Sequence, residues 1–353
     1  MQKKIITLAI AGLVSGAAFA QSNVTIYGVA DAFYGRLTAT GKMSNNHIGS
    51  GGLSGSRLGF KGSEDLGGGL KAVFEYELAF NLDNTGSPVN AINDASGSNG
   101  LTGTRQSFVG LGGGFGTIVA GRLQTPGYYV GRFDAFSASQ IGPQAILGGG
   151  ALRSTISPTN HGRVNNAVAY LSPTMSGFSA VLAYGTGEET TPGAEKENVW
   201  GLGLNYAQGP IAAGFAHHRV NNVGANNVAN ATFPDLKENM IGLSYDAKVV
   251  RVLGSYQDHR VTGSGTSKLW QLGAVAPVGA GNVHFAYGKL DRTGSNNDSK
   301  SWTLAYTHGL SKRTTAYVGY NRTTNESLAT AGILAPNPGG TSKAFVAGMR
   351  HSF

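Results

Sequence analysis

Three features of the chain carry residue types that do chemistry elsewhere: GLGGGFG at residues 110–116, the adjacent pair His217-His218, and serines and histidines scattered along the length. A glycine run cradles phosphate when it opens a helix behind a strand. Here TIVAGR follows with no helical period, so the run reads as a turn between two strands. Two histidines share a metal only if both reach it, and neighbours on an extended strand point to opposite faces. No G-x-S-x-G motif occurs, no Ser/His/Asp spacing singles out a catalytic set, and there is no cysteine. No catalytic residue, metal or cofactor is expected. The Lys/Arg-rich spots are dispersed and form no stripe, which argues against nucleic acid as a partner.

Charge and leader bound the class. MQKKIITLAIAGLVSGAAFA has Lys3 and Lys4, an apolar stretch from Ile5, and Ala18-Phe19-Ala20 before Gln21. This pattern predicts a cleaved signal peptide over residues 1–20 and a single mature domain over residues 21–353. Removing Lys3 and Lys4 from the 27 basic residues leaves 25 against 19 acidic, a mild +6. No later apolar run reaches the length of a membrane-crossing helix.

The elements that must position any functional side chain are strands. VTIYGVADAFYGRL, LKAVFEYELAFNL, GFSAVLAYG, NVWGLGLNYA and NVHFAYGKL all alternate with period two. In LKAVFEYELAF one face is Leu70, Ala72, Phe74, Tyr76, Leu78 and Phe80; the other holds Lys71, Glu75 and Glu77 among small residues. Short connections such as LGGGFGT and PVGAGN alternate with long polar ones near residues 40–53, 83–103, 126–161, 186–197, 220–238, 262–267, 292–299 and 324–342. Seven short and eight long connections join sixteen strands.

Sixteen amphipathic strands fit a soluble sandwich with apolar faces inward or a membrane barrel with apolar faces in lipid. Strands of about ten residues suit a tilted crossing of the hydrocarbon layer, and closure leaves no unpaired edge there. A barrel of that size is too wide for side chains to fill, which implies an aqueous lumen. The fold class expected is all-β, an antiparallel sixteen-stranded transmembrane β-barrel surrounded by outer-membrane lipid. The chain ends AFVAGMRHSF, with Phe345, Ala347, Met349, His351 and Phe353 on one face. That last strand must pair with VTIYGVADAFYG to close the sheet.

SNVTIYGVADAFYG, GSRLGFKGSEDLGGGLKAVFEYE, TRQSFVGLGGGFGTIVAGR and the terminal Phe353 together resemble the trimeric general diffusion porins of Gram-negative outer membranes. The likeness is strongest to the proteobacterial branch related to neisserial and anion-selective porins, and it covers the whole mature chain. It implies a cell-outer-membrane channel for passive diffusion of small hydrophilic solutes and anions, not an enzyme, assembled as a homotrimer. It also implies recognition of Phe353 by the outer-membrane assembly machinery. A third long loop, residues 126–161, would fold into the bore opposite a wall ladder of Arg57, Arg122 and Arg163. Arg105 is a fourth candidate, and Arg36 is expected higher in the same bore.

Strand parity puts Lys61 with Arg57, and Glu75, Glu77 and Asp31 are expected to offset part of the ladder. In many such porins the inserted loop supplies carboxylates; here residues 126–161 offer only Asp134, against Arg132 and Arg153. A ring of fixed charge selects ions, so the pore is expected to favour anions. The small face Gly28, Ala30, Ala32 and the set Gln106, Phe108, Gly110 suit close contact with a neighbouring barrel or with lipid. The alternative reading is an outer-membrane adhesin or barrel enzyme with long surface loops.

Overall fold

The computed structural model describes residues 23–83, 101–137, 139–148, 162–223 and 234–353; the expected signal segment and Arg153 lie outside them. No helix among the described residues is long and apolar enough to cross a membrane, and the strands do the spanning instead. They are β1 Asn23–Ala39, β2 Asn45–Ser50, β3 Arg57–Gly67, β4 Leu70–Phe80, β5 Leu101–Gly113, β6 Gly116–Gln124, β7 Arg163–Leu171, β8 Phe178–Thr186 and β9 Asn198–Gln208. Then come β10 Ile211–Asn221, β11 Leu236–Asp246, β12 Arg251–Val261, β13 Gly265–Val278, β14 Gly281–Arg292, β15 Ser299–Gly309, β16 Thr314–Asn325 and β17 Thr341–Ser352.

All belong to one antiparallel sheet in which sequence neighbours pair, and β17 returns to β1. The closing register runs from Val29 opposite Ser352 to Ala39 opposite Ser342, and Gly28 and Phe353 exchange backbone hydrogen bonds of 3.0 and 3.1 Å. β2 and β3 both pair with β1, at Leu37–Asn45 and Val29–Arg57 respectively, so they are two pieces of one barrel strand. The barrel therefore has sixteen strands.

The break in that strand has a local cause. Residues 51–56 leave the ladder, and their free backbone donors need partners. Asp31 supplies them: its Oδ2 accepts from Leu53 and Ser54 N–H at 2.9 Å each, while Oδ1 accepts from the Tyr317 hydroxyl at 2.6 Å. Two of the connections expected to be long are tight turns. β2 already occupies residues 45–50 of the expected 40–53 loop, and β12 reaches β13 through residues 262–264 alone. Gly263 and Gly265 adopt φ of +78° and +103°, a backbone that polar composition alone does not distinguish from a long loop.

Burial alternates along the strands as the sequence requires. Ile26, Phe74, Val109 and Leu243 are exposed on the outer face, while Val29, Ala79, Val119 and Met240 are buried on the inner one. The inner wall is not uniformly polar: Val119, Leu123, Ala167 and Ala169 form an apolar patch on β6 and β7.

After β6 the chain turns inside the barrel. A 3-10 segment, Pro126–Phe133, packs on β8 to β12, and a short helix α1, Pro143–Gly148, packs on β13 to β15. The wall is thinned to receive them. A Cβ at Gly201 or Gly203 would strike Pro126, at Gly214 or Gly242 Phe133, and at Gly273 Ala135. Five inward glycines on four strands trace the track of the loop, which accounts for part of the chain's 55 glycines. Packed against that track, Phe136, Ile141 and Ile146 join Phe33, Leu37 and Tyr317 in the largest apolar cluster of the interior.

Candidate functional site: a cationic constriction

The inserted segment leaves the opposite wall, β3 to β7, facing the open bore, and the charged side chains gather there. Arg57 on β3 places Nε 3.1 Å from Glu77 Oε2, and its Nη1 donates to the Gly55 carbonyl at 3.0 Å. Arg105 on β5 donates from Nε to the other oxygen of Glu77. Both Arg105 and Arg163 donate to the Tyr128 hydroxyl at 3.2 Å, and the Arg163 guanidinium stacks 4.8 Å above the Tyr128 ring. Three guanidinium groups are thus linked through one carboxylate and one loop tyrosine.

Local backbone explains why Arg105 and Gln106, adjacent in sequence, both reach β4 carboxylates. Between Tyr76–Ser107 and Leu78–Thr104 the register slips, giving β5 an extra residue. A bulge turns two consecutive side chains to one side. Arg105 therefore meets Glu77 and Gln106 meets Glu75. Tyr27 donates to Glu75 at 2.6 Å and to Glu77 at 3.2 Å, and its ring lies 5.0 Å beneath the Lys61 ammonium. Among the described residues, Arg57, Lys61, Arg105 and Arg163 stand with Glu75 and Glu77, which leaves this set of side chains with an excess of positive charge.

Four expected residues sit elsewhere. Arg122 donates to the Thr104 carbonyl at 2.8 Å and to the Asn165 side chain; it shares no direct hydrogen bond with the linked row but lies close enough to Arg163 for the two charges to repel. Arg36 shares the outward parity of Ile26 and Tyr34, so it leaves the bore altogether. Asp31 is fully buried beneath the β2–β3 break, where it faces Arg350 across the β1–β17 pair and not the arginine row. Asp134 is also buried, with Oδ1 accepting from Phe136 N–H at 3.0 Å; it organises the loop turn and offers the lumen no exposed carboxylate. Arg132 is exposed on the same segment. Gln106 and Phe108 line an inner recess of about 530 Å3 with Lys61 and Glu75, so they face no neighbouring barrel.

Sequence reasoning missed the residues that fix the loop. Gly127 N–H donates to His218 Nε2 at 2.9 Å, Thr303 donates to the Ile141 carbonyl at 2.6 Å, and His284 Nδ1 meets the Ala135 carbonyl at 2.9 Å. Gln144 and Gln257 exchange amide hydrogen bonds of 3.2 and 2.8 Å. Of these, His218 is a polar residue at an inward position flanked by apolar ones, Ala216 and Val220, whereas Gln257 lies between the equally polar Ser255 and His259. That signal is readable once the lumen is known to be filled locally. His217 turns outward to Asn239, so the two histidines point apart.

A closed barrel with an internal loop facing a cationic wall is a channel architecture, and comparison with known proteins agrees. Residues 7–328 match the family model for the Gram-negative porin. The chain belongs to the Gram-negative porin family. It is 32% identical over 377 residues, covering both chains entirely, to outer membrane porin protein 32 of Delftia acidovorans. It is 28% identical over 377 residues, again across both chains, to major outer membrane protein P.IB of Neisseria lactamica. Among solved structures, the anion-selective porin from Comamonas acidovorans superposes with a TM-score of 0.80 at 29% identity, covering 94% of this chain and all of that one. This porin is therefore an outer-membrane β-barrel forming a water-filled channel for passive diffusion.

Proposed function

We propose that the porin's constriction, between the Pro126–Gly148 loop and the β3–β7 wall, makes it prefer small anions, and that Arg57, Arg105 and Arg163 set that preference. The observation that carries this reading is the charge balance of the linked row: three guanidinium groups around one carboxylate, with the loop's described acid, Asp134, buried. Arginine does not relieve crowding by losing its proton, so mobile anions must screen the row. The likeness to the anion-selective porin from Comamonas acidovorans supports the same direction.

The test is the reversal potential of single channels in a salt gradient, for wild type and for Arg57→Ala and Arg163→Ala. A charge about 6 Å from the ion path contributes about 0.7 kcal/mol in a water-like dielectric, so each exchange is expected to lower the anion-to-cation permeability ratio about threefold. A wild-type preference for cations overturns the reading.

A homotrimer, cleavage after residue 20 and recognition of Phe353 during assembly belong to the same proposal. They are supported by the family; the exposed apolar outer face of β1, with Val24 and Ile26, suits a neighbouring barrel and lipid alike. Gly28 speaks less for a neighbour than its size suggests, because the ring of Phe353 already lies against it.

A further inference from the structure

Beside the arginine row, toward the short turns, the inner wall carries a recess that the row does not use. Its floor is apolar: Val73, Phe108, Val119, Leu123, Ala169 and Leu171, at inward positions of β4 to β7. A water-filled barrel normally presents polar side chains to its lumen. The inserted loop does not account for the departure, because Pro126–Phe133 packs on β8 to β12 and α1 on β13 to β15. At about 530 Å3 the recess falls within the range of small-molecule sites, about 300–1,000 Å3, which combine an apolar lining with a few placed polar groups.

Two charged groups stand at its edge with capacity to spare. Lys61 and Glu75 lie directly opposite each other on β3 and β4. Lys61 is exposed, lies over the Tyr27 ring and has no carboxylate partner among the described residues. Glu75 receives both its internal donors, the Tyr27 hydroxyl and the Gln106 amide, on Oε1, which leaves Oε2 without a hydrogen bond among the described residues. An ionised carboxylate accepts at both oxygens. The recess therefore offers a donor cation, an acceptor oxygen and an apolar floor side by side.

We propose that this recess is a transient binding site for zwitterionic α-amino acids with large apolar side chains. The α-carboxylate takes the Lys61 ammonium, the α-ammonium takes Glu75 Oε2, and the side chain lies on the floor around Val119 and Leu123. Residues directly opposite across an antiparallel pair have Cα atoms about 4.5–5.5 Å apart, so both protein charges reach a ligand whose own opposite charges share one carbon. A simple anion would meet Lys61 but be repelled by Glu75, and a simple cation the reverse. Only a molecule with both charges satisfies both groups. Apolar burial then separates phenylalanine-like solutes from glycine. A direct ion pair between Lys61 and Glu75 competes weakly, since exposed pairs contribute little. The inference is independent of the ion preference proposed above, because a net-neutral solute crosses a pore of either sign.

The experiment adds solutes to the full mature porin in planar bilayers at neutral pH and counts transient interruptions of the open-channel current. Phenylalanine is expected to interrupt the current at a frequency that saturates with concentration. Glycine, without the side chain, and 2-phenylethylamine, without the carboxylate, should each bind at least about threefold more weakly. Lys61→Gln and Glu75→Gln should each weaken phenylalanine binding about threefold. 3-Phenylpropionate, which has no ammonium for Glu75, should lose nothing in Glu75→Gln. Lys300→Gln, exposed on the outward face of β15, should leave phenylalanine binding unchanged. If a recess variant does not refold, the comparison of phenylalanine with glycine and 2-phenylethylamine on wild type decides. No interruptions by phenylalanine, equal binding of those two analogues, or undiminished phenylalanine binding in either recess variant overturns the inference. Reversal potentials of the same channels without added solute read the ion preference separately. An anion preference without interruptions sinks this inference alone; a cation preference with them sinks only the earlier reading.

Discussion

Glu77 holds two of the three linked arginines, and its own accessibility is low. Replacing it with glutamine removes a negative charge between Arg57 and Arg105 without changing the side chain's size. Reversal potentials of Glu77→Gln are expected to shift toward stronger anion preference, again about threefold for one charge in a water-like dielectric. The same exchange leaves both guanidinium groups with a weaker acceptor, so thermal unfolding should register a loss of about 1–3 kcal/mol. Parity made Glu75, Glu77, Arg57 and Lys61 legible as one face. The expectation that Arg36 sits in the bore came with the family resemblance, and the alternation of β1 overturns it: Arg36 shares the outward parity of Ile26 and Tyr34. The expectation for Arg122 rests on the family resemblance; beside it, between Gly121 and Leu123, the pairing slips and β7 takes an extra residue, which leaves no mark in the amino-acid pattern.

At the scale of elements, the loop holds its place because the wall is indented and polar where it passes. Gly242 lies against the Phe133 ring, and Gln257 exchanges two amide bonds with Gln144. Gly242→Val should push Phe133 off the wall at an overpacking cost of about 1–3 kcal/mol, read as a lower melting temperature and a changed conductance. Gln257→Leu should cost about 1–3 kcal/mol by leaving the buried Gln144 amide without its partner, and should increase open-channel noise. Unchanged conductance and noise in both variants would show that the wall contacts do not position the constriction. The location of the loop was expected from family resemblance; the glycine track that receives it was not. Glycines at inward positions of β9, β10, β11 and β13 look like weak strand residues until a partner segment is laid over them.

For the whole molecule, stability and assembly are inseparable from closure. Without β17, both β1 and β16 would expose an unpaired edge to hydrocarbon, where each unsatisfied backbone group costs several kcal/mol. Deleting residues 341–353 is therefore expected to abolish membrane-inserted protein. Phe353→Ala keeps the strand, so it should yield a channel of normal conductance at lower assembled yield, measured by the folded fraction on unheated gels. Native mass spectrometry of the detergent-extracted protein tests the trimer.

The sequence by itself determined the strand count, the sheet's two faces and the pairing of first strand with last, because a period of two and the need to satisfy every backbone group in lipid leave few alternatives. Tertiary structure alone decided which cations meet in the bore and which look out at the membrane. Those outcomes depend on the β5 bulge, the β2–β3 break over Asp31 and the path of the inserted loop. Each is a contact between residues far apart in the chain, and no local pattern encodes it.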